Sequence, residues 1–474
     1  MSGPIRPEIL VIGGGLAGIS AACHLLDQGL SVTLVEKRPF LGGRAYSFRD
    51  PETGQEVDNG QHVFLGCCTE YIDFLKRLGV FHKVHLQRRF HVNVIGGQKE
   101  AALSAAPLLP APLHLLPSFL AFPYLGLAEK LRFLRAITKI YFTDRSKQKK
   151  GLEGKTFLHW LEEQGQSERA IRCLWELFVL PSLNDRVGAV SAYQAFLVFQ
   201  EGLLRGRHSA NIGYSRAGLT ALVDDGARRY IAENGGRLVL DKGVVGLHVE
   251  AGDGRGARVA WAELAGGERL RADAYVCAVP WQGFPKLLPE PWSGQPFFQA
   301  ASRLEAAPIV GLHLWYDRPV TDLEFVAFLD SPVQWVFNKS RIMALPAPGQ
   351  YLCVSLSGAW EYARMEKEEL KALFSVEMER LFPRAREARL ERFIVVKQLQ
   401  ATFRPIPGAE ACRPSQETPI GNLFLAGDWT ATGWPSTMEG AVRSGRLAAT
   451  ALLRRAQELG LKPAHLPTPS SGGP

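Results

Sequence analysis

The polar and apolar positions set two periods at the start of the chain. Ile9–Ile12 is continuously apolar and predicts a short buried strand. Leu16–Gln28 carries apolar residues at helical spacing and is stopped by Gly29, which predicts a helix. Ser31–Val35 predicts a second strand, closing on Glu36. A similar pattern returns near the far end, where a strand at Asn422–Ala426 is followed by Gly427, Asp428 and a helical run from Met438 to Leu453. Between them the pattern predicts a helix over Leu219–Glu233 and strands at Arg237–Leu240, Val244–Val249 and Ala274–Pro280. Strands are also expected at Ile309–Tyr316 and Tyr351–Leu356, with a charged helix at Glu366–Leu381. Trp160–Leu161, Leu174–Leu180 and Tyr193–Phe199 supply dense apolar, aromatic helical segments. Gly252, Gly254 and Gly256 join two strands and read as a β-turn.

The first turn has the spacing of a nucleotide site. Gly13, Gly15 and Gly18 form G-x-G-x-x-G between a strand and a helix. Gly13 suits the tight turn, Gly15 admits a pyrophosphate, and Gly18 lets the helix approach the sheet. The helix N-terminus offers free N–H groups and a partial positive charge. Glu36 is placed to accept ribose hydroxyls and opposes a ribose phosphate, which disfavours NADP. At the far end, Gly427 and Asp428 follow a strand, where they can turn toward a ribityl or phosphate group. The helix after Trp434, beginning near Thr437 and Met438, can direct N–H groups at a flavin ring.

Taken together, the two ends resemble the FAD-dependent amine oxidase and phytoene desaturase superfamily. Leu41-Gly42-Gly43-Arg44 resembles that group's GG-R segment, whose Arg approaches the cofactor, and Asp58-Asn59-Gly60-Gln61-His62 resembles its D-x-G stretch beside the flavin. The resemblance places Val245 where backbone contacts adenine. Its implied fold is α/β: a Rossmann-like FAD-binding domain with an interleaved α+β substrate domain. The expected cofactor domain is discontinuous, at 1–79, 211–280 and 396–460. The inserts at 80–210, mainly helical, and 281–395 form the substrate domain, and 461–474 is a tail. Three segments, DNGQHVFLGC, ATFRPIPG and LAGDWTATGWPSTMEGAVRSG, narrow the resemblance to the squalene-associated branch, the hydroxysqualene dehydroxylases of hopanoid biosynthesis.

Composition and charge then restrict the setting. A chain of 474 residues, 46% hydrophobic and 22% charged, is long enough for two linked cores. Seven scattered cysteines without C-x-x-C predict a reducing compartment and no metal, and Cys67 and Cys68 read as core. No apolar leader run precedes the first strand, which predicts cytoplasmic residence. The net charge of +8 is concentrated: Glu129–Lys150 alone carries +6. Ala101–Ala128 before it lacks charged residues but contains Pro107, Pro110, Pro112, Pro117 and Pro123, which rule out a spanning helix. A proline-broken apolar lip and a basic helix predict contact with the inner membrane surface rather than nucleic acid. In Leu127–Phe142 the apolar stripe is Leu127, Leu131, Leu134, Ile137 and Tyr141, opposite Arg132, Arg135 and Lys139.

The chemistry expected is hydride exchange by the flavin in an apolar cavity. The inserts suit a long isoprenoid. The resemblance implies reductive removal of the hydroxyl of hydroxysqualene, with His62 as first candidate acid and Asp58 and Gln61 beside it. Asp58 has an alternative use in holding the turn. No second dinucleotide fingerprint is present, so an external electron donor is expected. A carotenoid-type desaturase, an amine oxidase and a non-catalytic prenyl-lipid escort remain alternatives.

Overall fold

The computed structural model describes residues 8–461 apart from 98, 251–255 and 347. The expected tail beyond Leu461, and Gly252 and Gly254 of the expected turn, lie outside the described residues; Leu461 itself is buried, and the strands flanking that turn, Val244–Glu250 and Arg258–Leu264, pair antiparallel.

Five short parallel strands form the nucleotide-binding sheet, in the order Arg237–Val239, Ser31–Val35, Glu8–Ile12, Ala274–Cys277 and Leu423–Leu425. Apart from the edge strand Arg237–Val239, their near-continuous burial accounts for the unbroken apolar runs, because helices or loops cover both faces. The helix Leu16–Asp27 packs against the last helix, Met438–Arg454. A methyl group on Gly445 would lie 2.2 Å from the carbonyl oxygen of Ala17, and Ser20 Oγ donates to the Val442 carbonyl at 2.8 Å. The two chain ends are therefore fixed to one another by close backbone packing.

The second layer is a mixed seven-stranded sheet. Its order is Leu390–Phe403, Ala306–Tyr316, Gln350–Ser357, Trp335–Asn338, Phe325–Leu329, His91–Gly96 and Lys99–Ser104. Helices from the first insert pack over it around Trp175, Phe157, Phe196 and Phe199. Two expectations change here. The strand Leu390–Phe403 pairs along its length with Ala306–Tyr316, so the expected boundary at 396 cuts an element of the substrate sheet. The first insert is mainly helical as expected, but its first part adds strands, because His91–Gly96 and Lys99–Ser104 extend the same sheet. The uncharged run therefore starts as an edge strand and continues as two short helical turns, Leu113–Leu115 and Leu116–Ala121.

The helix Leu127–Phe142 forms as expected but turns a different stripe inward. Phe133, Ala136 and Ile140 are buried, with Phe133 against Phe119 and Trp175, each at 4.6 Å between ring centroids. Leu127 stays 74% exposed, and Leu131 and Tyr141 are also exposed. No helix among the described residues is long and apolar enough to cross a membrane.

Candidate active site

The three glycines of the first turn divide by what surrounds them. A side chain on Gly18 would meet the Gly13 carbonyl oxygen at 1.9 Å, and one on Gly13 would meet the Ala278 carbonyl oxygen at 2.9 Å. Both are required by protein packing. Gly15 differs: its nearest neighbour would be the Gly43 Cα at 3.7 Å. Space is left open above Gly15, as a pyrophosphate needs. The helix that follows has no side-chain cap and no acid in its first turn. Its leading N–H groups are thus free for an anion.

Glu36 is buried and held by this loop. Its Oε2 accepts from Gly14 N at 2.6 Å and its Oε1 from Arg38 N at 3.0 Å. The carboxylate is fixed while keeping lone pairs for ribose hydroxyls. Asp241 N and Lys242 N donate to the carbonyls of Arg38 and Glu36, so this segment runs beside the acid. Val245 follows with its side chain exposed.

Gly42 N donates to Gly14 O at 2.8 Å, and the neighbouring Gly43 crosses Gly15 so tightly that a methyl would sit 2.8 Å from its Cα. Arg44 continues this wall. It donates to Ala401 O at 2.8 Å, inside ATFRPIPG, and pairs with Asp428. Asp428 also accepts from Ser436 Oγ. Gly427 N donates to Ser444 Oγ at 2.8 Å. Thr437 caps the last helix by accepting from Gly440 N at 3.0 Å, and Met438 is the first helical residue. Trp434 is half-buried under the guanidinium of Arg443, 5.0 Å from its ring centroid.

Arg413 was not singled out by sequence. It is buried and donates to the carbonyls of Asp428, Thr430 and Trp434 at 3.1, 2.7 and 2.7 Å. It thereby shapes the whole 428–434 turn. It also pairs with Glu410 and donates to Thr432 Oγ1 at 2.8 Å, but an arginine that pairs mostly with backbone leaves no motif to read.

The residues beside this wall form a polar cluster. Asn59 Nδ2 donates to Arg44 O at 2.6 Å. Asp58 is buried and its carboxylate is already engaged by three donors: Ser47 Oγ at 2.8 Å, Leu219 N at 3.0 Å and Lys339 Nζ at 2.8 Å. Burial alone would raise its pKa, but the Lys339 ammonium and these hydrogen bonds hold it below the usual carboxylate range. Asp58 thus holds the turn and is not a free catalytic group. Lys339, itself buried, also donates to Gln61 Oε1 at 3.2 Å.

His62 is half-buried, and its pKa is lowered to about 4, first by burial and then by the Lys339 and Arg44 cations. It is uncharged at neutral pH, so it does not store the proton expected of a catalytic acid. Behind it, His313 is fully buried with Nδ1 2.6 Å from the Tyr351 hydroxyl and Nε2 without a partner. Cys67 and Cys68 are free thiols away from this cluster's hydrogen bonds, and contact with its neighbour and burial raise the Cys68 pKa. Among the described residues no metal-binding cluster is present.

Residues 16–453 match the family of flavin-containing amine oxidoreductases. The chain belongs to this family. It is 27% identical to a 15-cis-phytoene desaturase of Synechococcus elongatus, covering 95% of this chain and 97% of that one. It is 28% identical to a zeta-carotene desaturase of Arabidopsis thaliana, covering 95% and 86%. A redesigned putrescine oxidase shares the fold at a TM-score of 0.71 and 18% identity, covering 95% and 99% of the two chains. Cyclohexylamine oxidase from Brevibacterium oxydans does so at 0.67 and 21%, covering 96% and 100%. The protein is an FAD-dependent oxidoreductase of the amine oxidase and desaturase superfamily. The open Gly15 loop, the uncapped helix and the fixed Glu36 fit FAD.

Proposed function

We propose that this flavoenzyme removes the hydroxyl of hydroxysqualene to give squalene. The observation that carries the reading is a polar point at the junction with the substrate sheet: the Gln61 amide backed by the buried Lys339. An isoprenoid alcohol needs a partner for its oxygen, whereas a hydrocarbon does not. The three segments that resemble the squalene-associated branch support the same reading. Bound in its reduced form, FAD supplies the hydride. The alcohol would take that hydride at carbon and, at oxygen, the proton that the reduced cofactor gives up on oxidation, so that R–OH and FADH2 become R–H, water and FAD. The chain's part is to hold the oxygen, exclude water from the electron-poor carbon and fix the cofactor.

A carotenoid-type desaturation is the second reading, favoured by relatives named for phytoene and zeta-carotene. An amine substrate is disfavoured, because the buried carboxylate beside Gln61, Asp58, is already neutralised by Lys339 and is not free to pair with an ammonium group. Assays with hydroxysqualene under reduction and with a phytoene-like polyene under oxidation separate the two readings. Squalene formed only in the first supports the proposal, and dehydrogenation only in the second refutes it.

The proposal includes a membrane surface and an external electron donor. Leu108, Leu113, Leu120, Leu127, Leu131 and Phe142 are exposed within one stretch that runs into the basic segment ending at Lys150. This combination suits docking on anionic lipid, from which a water-insoluble substrate is drawn. Residence on the inner face of the cytoplasmic membrane follows from that reading.

A further inference from the structure

A lysine ammonium donates hydrogen bonds and accepts none. The Gln61 atom that faces Lys339 Nζ at 3.2 Å must therefore be its oxygen. This removes the usual ambiguity in the orientation of a side-chain amide. The NH2 group is turned the other way. One of its hydrogens is directed to the His62 carbonyl at 3.2 Å, and the second has no protein acceptor among the described residues.

The space beside Gln61 lies on one side of the cluster. Gln61 and His62 are half-buried, while Asp58, Asn59 and Lys339 behind them are buried. A side chain on Gly60 would meet nothing within 4 Å, although Gly60 itself is buried. The gap lies where the Arg44 wall meets the substrate sheet, because a Cβ on Gly311 would sit 3.6 Å from the Gly60 Cα. Open space thus adjoins Gly60, next to Gln61, where the chain meets the substrate sheet. The Asp58–Lys339 pair links wall and sheet: Asp58 ends the strand Glu56–Asp58, which pairs with Ser47–Arg49 just after the Arg44 wall, and Lys339 directly follows the substrate strand Trp335–Asn338.

We propose that Gln61 is the hydrogen-bond donor to the substrate oxygen and that Lys339, neutralised by Asp58, is the positioning residue that turns its NH2 group into the pocket. The ligand class is a long isoprenoid alcohol. The inference rests on the dehydroxylation reading for the identity of the oxygen, but it makes a claim about binding that stands apart from turnover. Gln61 transfers no proton in this scheme.

The test measures binding of two unreactive probes to the FAD-loaded, oxidised protein through the flavin spectrum: a saturated C30 isoprenoid alcohol and squalane. The unmodified protein binds the alcohol more tightly, by on the order of tenfold, the worth of about one hydrogen bond. Gln61→Leu and Gln61→Met keep the buried ion pair and remove the NH2 donor without adding an acceptor, and both lose the preference. Removing Lys339 alone would strand the buried Asp58 charge. The double variant Asp58→Asn/Lys339→Met removes both charges, and its preference falls while FAD content and squalane binding are kept. A preference unchanged in either Gln61 variant overturns the donor assignment, and one unchanged in the double variant overturns the positioning role. If the alcohol preference behaves as expected but hydroxysqualene is not converted, the dehydroxylation reading fails and this assignment stands.

Discussion

The guanidinium of Arg44 pairs with the carboxylate of Asp428, joining segments 384 residues apart. Arg44 lies on the wall that crosses Gly15, and Asp428 lies in the turn before the last helix. The pair therefore sets the spacing between the two ends of the FAD site. Asp428→Ala leaves the fold intact and weakens FAD binding by on the order of tenfold or more, because a charge-assisted bond is lost on each of two partners. Flavin released on dilution, followed by fluorescence, checks this.

The glycine turn makes a sharper prediction. Gly15→Ala adds a methyl group into open space, so the apoprotein keeps its melting temperature while FAD affinity falls. Gly18→Ala forces a methyl group against the Gly13 carbonyl and costs about 1–3 kcal/mol of stability before any cofactor is added. Thermal unfolding of the two apoproteins beside an FAD titration separates ligand space from packing.

Acid stability follows from two histidines. In the unfolded chain an imidazole takes a proton near pH 6.5, whereas His62 and His313 resist until about pH 4. Between these values the unfolded chain binds more protons, so stability declines as the pH drops from 6.5 to 4. His313, fully buried, contributes about 3 kcal/mol to that decline. His313→Gln narrows the difference between urea midpoints measured at pH 7 and pH 5. An unchanged difference contradicts the burial argument.

Much of the site could be read from the sequence, for a local reason. The strand, glycine turn, helix and Glu36 are contiguous, and their hydrogen bonds close within about one βαβ unit. The last helix was visible through its apolar periodicity. Lys339 was not, because its only meaning lies in a partner 281 residues away, and Asn338-Lys339-Ser340-Arg341 reads as a polar surface turn. The helix Leu127–Phe142 shows the same limit. It carries two apolar stripes, and only Phe119 and Trp175 determine that Phe133 is the one buried. The boundary expected at 396 failed because nothing in Leu390–Phe403 marks where one layer ends while the strand continues.

The exposed stripe yields a membrane prediction. Liposomes with anionic headgroups co-sediment the protein, and Leu127→Ser/Leu131→Ser/Phe142→Ser reduces the bound fraction severalfold without loss of FAD. Raising the salt concentration weakens what remains, since Arg132, Arg135 and Lys139 act through screened charges. Full binding by the triple variant contradicts a docking role for the stripe.

The most direct measurement is a single turnover without oxygen. The FAD of the purified protein is photoreduced, hydroxysqualene is added, and the return of the flavin's yellow colour is followed together with the lipid extract. The account predicts reoxidation with one squalene formed per flavin. A flavin that stays bleached while hydroxysqualene is recovered unchanged contradicts it.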